Sequence, residues 1–130
     1  MMSENFVVEI ISPDKSILKS DAHEVIIPSY EGQMGILKNH VPLITFLRPG
    51  FINIKKDNEE IKFFVEEGTI EFLSDNLIIL TSTCESLDNL NSENVKEIIS
   101  KSQKKINQNE ISDKEKYLLS HKIEALSEIS

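Results

Sequence analysis

The feature that most restricts how this chain can fold is a change of hydrophobic period near Glu85. All four glycines and all four prolines lie on its N-terminal side. Ahead of that point the chain reads as short strands. Phe6, Val8 and Ile10 alternate with Val7, Glu9 and Ile11, and Ile52 and Ile54 with Asn53 and Lys55. Ile61, Phe63 and Val65 alternate with Lys62, Phe64 and Glu66, while Ile70 and Phe72 flank Glu71. The unbroken apolar runs Val25–Ile27 and Leu77–Leu80 suggest strands buried on both faces. Turn signals separate these segments, among them Pro13-Asp14, Pro28-Ser29, Glu31-Gly32, Arg48-Pro49-Gly50, Glu67-Gly68 and Asp75-Asn76. Short strands at this spacing predict an all-β sandwich or barrel.

Beyond Glu85 the period becomes helical. Ser92 is placed to cap a first helix, with Glu93 in the turn where the helix dipole favours an anion. Val95, Ile98, Ile99 and Ile106 then share one face, with Ser102 inside the stripe. Asn107-Gln108-Asn109 breaks the stripe, and Ser112-Asp113-Lys114-Glu115 is a capping-box sequence that starts a second helix. Leu118, Leu119, Ile123, Ala125, Leu126 and Ile129 form its broad apolar face, on which Lys122 intrudes and is expected to snorkel. The expected organisation is a β domain over 1–85 and an antiparallel helical hairpin over 86–130. Two helices of about fifteen residues, each about 22 Å long, cannot enclose a core of their own. Their stripes must rest on the sandwich or on another protein, and can exchange between the two where the docking free energies are close.

The net charge of −8 argues against a nucleic-acid partner, which calls for clustered Lys and Arg. No apolar run approaches the ~20 residues of a membrane-spanning helix, so direct membrane insertion is not expected. Met1 to Phe6 shows neither the basic start nor the long apolar stretch of a leader peptide. The lone cysteine, Cys84, fits a reducing compartment and a small buried hydrophobe beside a strand.

No catalytic constellation is visible. The chain has no Gly-rich phosphate loop followed by Lys and Ser/Thr. His23, His40 and His121 lack metal-ligand spacing, and no nucleophile-elbow sequence surrounds a serine. The adjacent Glu66 and Glu67, if in a strand, point to opposite faces and cannot act as a paired-acid site. No metal, no cofactor and no enzymatic activity are therefore expected. The most informative stretch runs from Tyr30 to Gly50: Tyr-Glu-Gly-Gln-Met-Gly-Ile-Leu-Lys-Asn-His-Val-Pro-Leu-Ile-Thr-Phe-Leu-Arg-Pro-Gly. Gly32 and Gly35 permit positive φ or close backbone approach, and Pro42 and Pro49 limit strand pairing. By itself the stretch reads as turns bracketing a strand, with His40 a packed or hydrogen-bonded turn residue.

Taken together, these residues resemble the signature of the epsilon subunit of the F-type (rotary, proton-translocating) ATP synthase. The matching pattern is Glu-Gly-x-x-Gly-Ile-Leu, then His-x-Pro-Leu-Ile-Thr, then Leu-x-Pro-Gly. Phe64–Phe72, the opening Val8–Pro13 and the Leu77–Leu80 run fit the same family. The resemblance covers the whole β part, and the helical part in architecture only. It implies a ten-stranded β-sandwich at the foot of the central stalk, bound to the γ subunit and resting on the c-ring. Glu31, Gly32, Gln33, Met34, Gly35, His40 and Pro42 are then the candidate stalk and ring contacts; Gln33 stands where many relatives carry an acidic residue. The implied work is mechanical: this subunit turns with the ring and γ while catalysis takes place elsewhere, on the cytoplasmic face of a bacterial plasma membrane.

The resemblance also implies a hairpin that folds onto the sandwich or extends along γ towards the α and β catalytic-head subunits, restraining ATP hydrolysis. Lys101, Lys104 and Lys105 are the regulatory candidates, either meeting an acidic surface on the head or forming a solvated face. Some bacterial relatives bind ATP through a Leu/Ile-Asp-x-x-Arg-Ala motif. Here Leu87 and Asp88 match it, but Asn91 replaces the arginine and Ser92 the alanine. Without a guanidinium fork for the phosphates, ATP binding is expected to be weak or absent. The competing reading is a stand-alone β-sandwich adaptor unrelated to the synthase.

Overall fold

The computed structural model describes residues 5–129; the first four residues, part of the segment inspected for a leader, and Ser130 lie outside the described residues. Ten strands precede two helices. They are β1 (Phe6–Ile11), β2 (Ser16–Ala22), β3 (Glu24–Ser29), β4 (Gly32–Leu37) and β5 (Leu43–Leu47). Then follow β6 (Gly50–Lys56), β7 (Glu59–Val65), β8 (Gly68–Leu73), β9 (Asn76–Leu80) and β10 (Glu85–Ser86). A single 3-10 turn at Leu87–Asn89 leads into α1 (Ser92–Ile106) and α2 (Asp113–Ser127).

The strands form one hydrogen-bonded sheet that folds into two layers. One layer runs β10-β7-β6-β3, with β4 on the free edge of β3; the other runs β5-β8-β9-β1-β2. They join where β3 hands over to β5 at the Ser29–Leu47 pair. All pairings are antiparallel except β1 with β9. Alternation places Val8, Ile10, Ile70, Phe72, Leu77 and Ile79 of one layer against Val25, Ile27, Ile36, Ile52, Ile54 and Phe63 of the other. Each fully buried aliphatic side chain contributes about 1.5–3 kcal/mol relative to exposure, so this interior holds the sandwich.

The two apolar runs differ from expectation. Val25 and Ile27 are buried but Ile26 is only half-buried, and Leu80 is exposed while Leu77 and Ile79 are buried. These strands alternate like the others, with apolar residues on the outward face as well. Phe64 departs in the opposite sense. It lies on the outer face of β7 and is buried, because the hairpin covers it: Phe64, Val95, Ala125 and Leu126 form a second core, with Phe51, Leu90, Ile98, Ile99 and Ile129 around it.

The helix starts obey capping chemistry. Ser112 Oγ accepts from Glu115 N at 3.1 Å, as the capping-box sequence predicts. For α1 the cap is Asn91 instead of Ser92: Asn91 Oδ1 accepts from Asn94 N at 2.9 Å, and Ser92 is the first helical residue. Lys122 does not snorkel to water as expected. Its Nζ meets Glu66 Oε1 at 2.7 Å and ties α2 to the sandwich. Glu66 and Glu67 are not in a strand; they form the bend between β7 and β8, where both amides donate to Thr83 Oγ1 at 3.0 and 3.2 Å.

Candidate functional site

The outer face of the β5-β8-β9-β1 layer is where this molecule offers a surface. Strand registers place side chains across it in rows: Phe46, Thr69, Leu80 and Ile11 in one, Ile44, Glu71, Ile78 and Glu9 in the next. Ile44 is 75% exposed and Phe46 59% exposed, although the alternate residues Thr45 and Leu47 of the same strand are buried. Beside Phe46 and Leu80 an open groove of about 670 Å³ is bounded by Tyr30 and by Lys114 of α2. A contiguous apolar surface on a soluble protein marks a place where another molecule is bound.

The residues singled out from the sequence fall along one edge and do not gather at one point. Gly32–Leu37 is the edge strand β4, paired with β3 along its length. Glu31, Gln33 and Gly35 are exposed on it and Gly32 and Met34 partly so. Gly32 takes φ 116°, a conformation that L side chains rarely adopt, and it closes the β3–β4 turn; Gly35 has no such φ. His40 and Pro42 lie at the opposite end, about 20 Å away by the rise of a six-residue strand. There Asn39 N donates to Asp75 Oδ1 at 2.8 Å, fastening this turn to the β8–β9 turn. The His40 ring packs edge-on against Phe72 with centroids 5.9 Å apart, and its Nδ1 lies 2.7 Å from the Val41 carbonyl oxygen. His40 is thus a packed turn residue, as its sequence context indicates. The two ends bracket the apolar rows.

Ile44, Phe46 and Leu80 are absent from the sequence-derived site. Their signal was present: Leu43–Leu47 is apolar on both strand faces, and only one face can enter the core.

The groups examined for chemistry are otherwise engaged. Burial, with the Glu85 charge adding to it, pushes the Cys84 thiol up to about 11, so it stays protonated and inert at neutral pH. Asn91, at the arginine position of the ATP motif, uses its side chain to cap α1. Leu87 and Asp88 form the 3-10 turn, and the Asp88 amide is held by Ser86 Oγ at 3.3 Å. Of the lysines beside this turn, Lys101 pairs with Glu97 at 3.0 Å and Lys122 with Glu66. Lys104 and Lys105 are exposed in the last turn of α1, where the helix dipole favours cations. Among the described residues no group of three or more His, Cys, Asp or Glu side chains could hold a metal ion. No helix among them is long and apolar enough to cross a membrane.

Ile44, Phe46 and Leu80 exposed together on one sheet face are the mark of a docking subunit. The comparisons name the assembly. The sequence profile of the ATP synthase delta/epsilon chain β-sandwich domain matches residues 5–87. An ATP synthase epsilon chain from Pelagibacter ubique is 38% identical over 130 residues, spanning 99% of this chain and 100% of that one. A second, from Dichelobacter nodosus, is 37% identical over 106 residues, 81% of this chain and 74% of its own. Among solved structures, a chain of the Euglena gracilis mitochondrial ATP synthase, in an assembly of OSCP, F1 and c-ring, superimposes with TM-score 0.84. It covers 99% of this chain and 83% of its own at 17% identity, a likeness of fold. This chain belongs to the epsilon-subunit family of the F-type ATP synthase, and it is a non-catalytic subunit of that complex.

Proposed function

We propose that this chain is a rotor subunit of the synthase's central stalk. Residues 1–85 bind the γ subunit and rest against the c-ring, and residues 86–130 form a mobile hairpin that restrains ATP hydrolysis. The observation that carries the docking role is the exposed pair Ile44 and Phe46 on the outer face of β5. A partner surface laid across those rows would bury them and transmit torque through shape. At one end of β4, Glu31, Gln33 and the Gly32 turn face the hairpin side. At the other, His40 and Pro42, with Val41 and Leu73 exposed nearby, form a tip suited to the ring. The subunit then sits at the cytoplasmic face of a bacterial plasma membrane as part of the complex. The stand-alone adaptor reading is not favoured, because whole-length relatives are synthase subunits.

Co-expression with γ tests the stalk role: the intact chain should purify with γ in equal amounts, and purification of γ without it would refute the assignment. The brake is tested in the assembled enzyme with a chain ending at Ser86. Its ATP hydrolysis should exceed that of the enzyme carrying the full chain, and an unchanged rate would remove the hairpin's regulatory role. Lys104 and Lys105 are the cations free to meet an acidic head surface when the hairpin extends; Lys101 would first have to leave Glu97.

A further inference from the structure

The joint between α2 and the sandwich is held by titratable and aromatic groups, of which Tyr30 also borders the docking groove. Arg48, the chain's single arginine, projects from the β5–β6 turn towards α2. Its Nη1 lies 3.3 Å from the Tyr117 hydroxyl and 3.4 Å from His121 Nε2. Tyr117 stacks on Tyr30 of the β3–β4 turn, with centroids 5.5 Å apart and planes within 9°, and meets the His121 ring at 4.4 Å. Around the imidazole stand Arg48 from the sandwich, Tyr117 and Glu124 from its own helix, and Gln33 and Glu128 across a cavity of about 140 Å³. The Lys122–Glu66 pair completes the attachment.

A guanidinium donates and has no lone pair. The nitrogen facing Arg48 can therefore bond to it only when unprotonated. Protonation would remove that acceptor and set two cations 3.4 Å apart. We propose that His121 and Arg48 form a proton-sensitive latch, which holds the hairpin on the sandwich while the imidazole is neutral and loosens it when the imidazole is charged. The proposal rests on the hairpin being a separable, mobile element.

Burial, then the Arg48 charge, hold His121 below its ordinary value of 6.5, with the Glu124 carboxylate opposing them. In the open hairpin the ring would titrate near its ordinary value. Between the two values the open form binds more protons, so docking is complete above the ordinary value and weakens as pH falls through the window. One such group changes the docked-to-open ratio by up to about tenfold per pH unit.

Amide hydrogen exchange of the intact chain, corrected for intrinsic rates, reads this ratio even when the open form is rare. Between about pH 8 and about pH 5, protection of the Tyr117–Leu126 amides should fall while that of β8 and β9 holds. The chain has two tyrosines and no tryptophan, and both tyrosines lie in the latch, so intrinsic fluorescence follows the same event. His121→Gln keeps an acceptor that does not titrate and should abolish the acid response; Arg48→Gln removes the opposing cation and should blunt it. Unchanged α2 protection while the imidazole titrates would overturn the latch, as would an acid response retained in His121→Gln. Exchange of α2 only together with β8 and β9 would show that the hairpin never opens alone, and would sink the mobile reading as well. A truncated chain that leaves ATP hydrolysis unchanged would remove the brake and not the latch.

Discussion

A methyl group at position 68 would have to occupy the space of the Leu80 carbonyl oxygen, in a backbone with φ 156° that L side chains rarely adopt. Both constraints arise because β8 starts in a tight bend whose backbone lies against β9. Thr81 Oγ1 donates to the Glu67 carbonyl at 2.6 Å and leaves no slack there. Gly68→Ala is therefore expected to cost about 1–3 kcal/mol of strain, visible as a lowered urea midpoint with an unchanged slope. A midpoint equal to that of the unaltered chain would contradict this account. At position 50 the crowding comes from the neighbouring strand instead: an added Cβ would lie 2.6 Å from Pro28 Cβ. The glycines of the Tyr30–Gly50 segment thus serve different needs, a turn at Gly32 and close packing at Gly50.

The hairpin is attached by few residues. Leu126 is fully buried against Phe64 and Val95, and no second layer of helices lies behind it. Leu126→Ala should weaken docking by about 2–5 kcal/mol, enough to open a contact this small. Faster amide exchange throughout α2 with unchanged exchange in β1, β8 and β9 would verify it; equal acceleration in the strands would mean one cooperative unit. The helices were legible in the sequence because their stripes, caps and polar turn are local signals. The one-residue shift of the first cap reflects two adjacent capping residues, Asn91 and Ser92, of which only one can reach the Asn94 amide. Strand β2 was not legible. It is a sheet-edge strand whose pairing with β1 shifts register between Ile10 and Ile11, which breaks the period of two. The burial of Phe64 was hidden too: an alternating pattern reports one buried face, and the second comes from helices about thirty to about sixty residues later in the chain. Of the candidate surface, the sequence singles out the turns at Gly32 and His40 but not the residues of β5 between them. Glycine, proline and histidine are distinctive letters, whereas Ile44 and Phe46 look like core until the other strand face is seen to be filled.

At the scale of the whole molecule, the two faces of the sandwich have different occupants. The hairpin lies over β6 and β7, and the outer rows of β5, β8 and β9 are bare. The segment from Leu87 to Ser92, placed between hairpin and sandwich, contains no arginine, and Lys101 and Lys122 beside it are paired with carboxylates. Calorimetry should register no ATP binding in the micromolar range; a micromolar dissociation constant would show that other groups replace the guanidinium. The most direct test of the central claim is the affinity of the isolated chain for γ, measured by titration for the unaltered protein and for Ile44→Asp with Phe46→Asp. Both positions are exposed, so the fold should survive while the charges stay unpaired in a covered interface. The account predicts binding weakened by a hundredfold or more, about 3 kcal/mol or above, with Lys104→Glu as an unaffected control. Equal affinity for all three proteins would contradict it, and would mean that the bare rows of this sheet are not where the shaft is held.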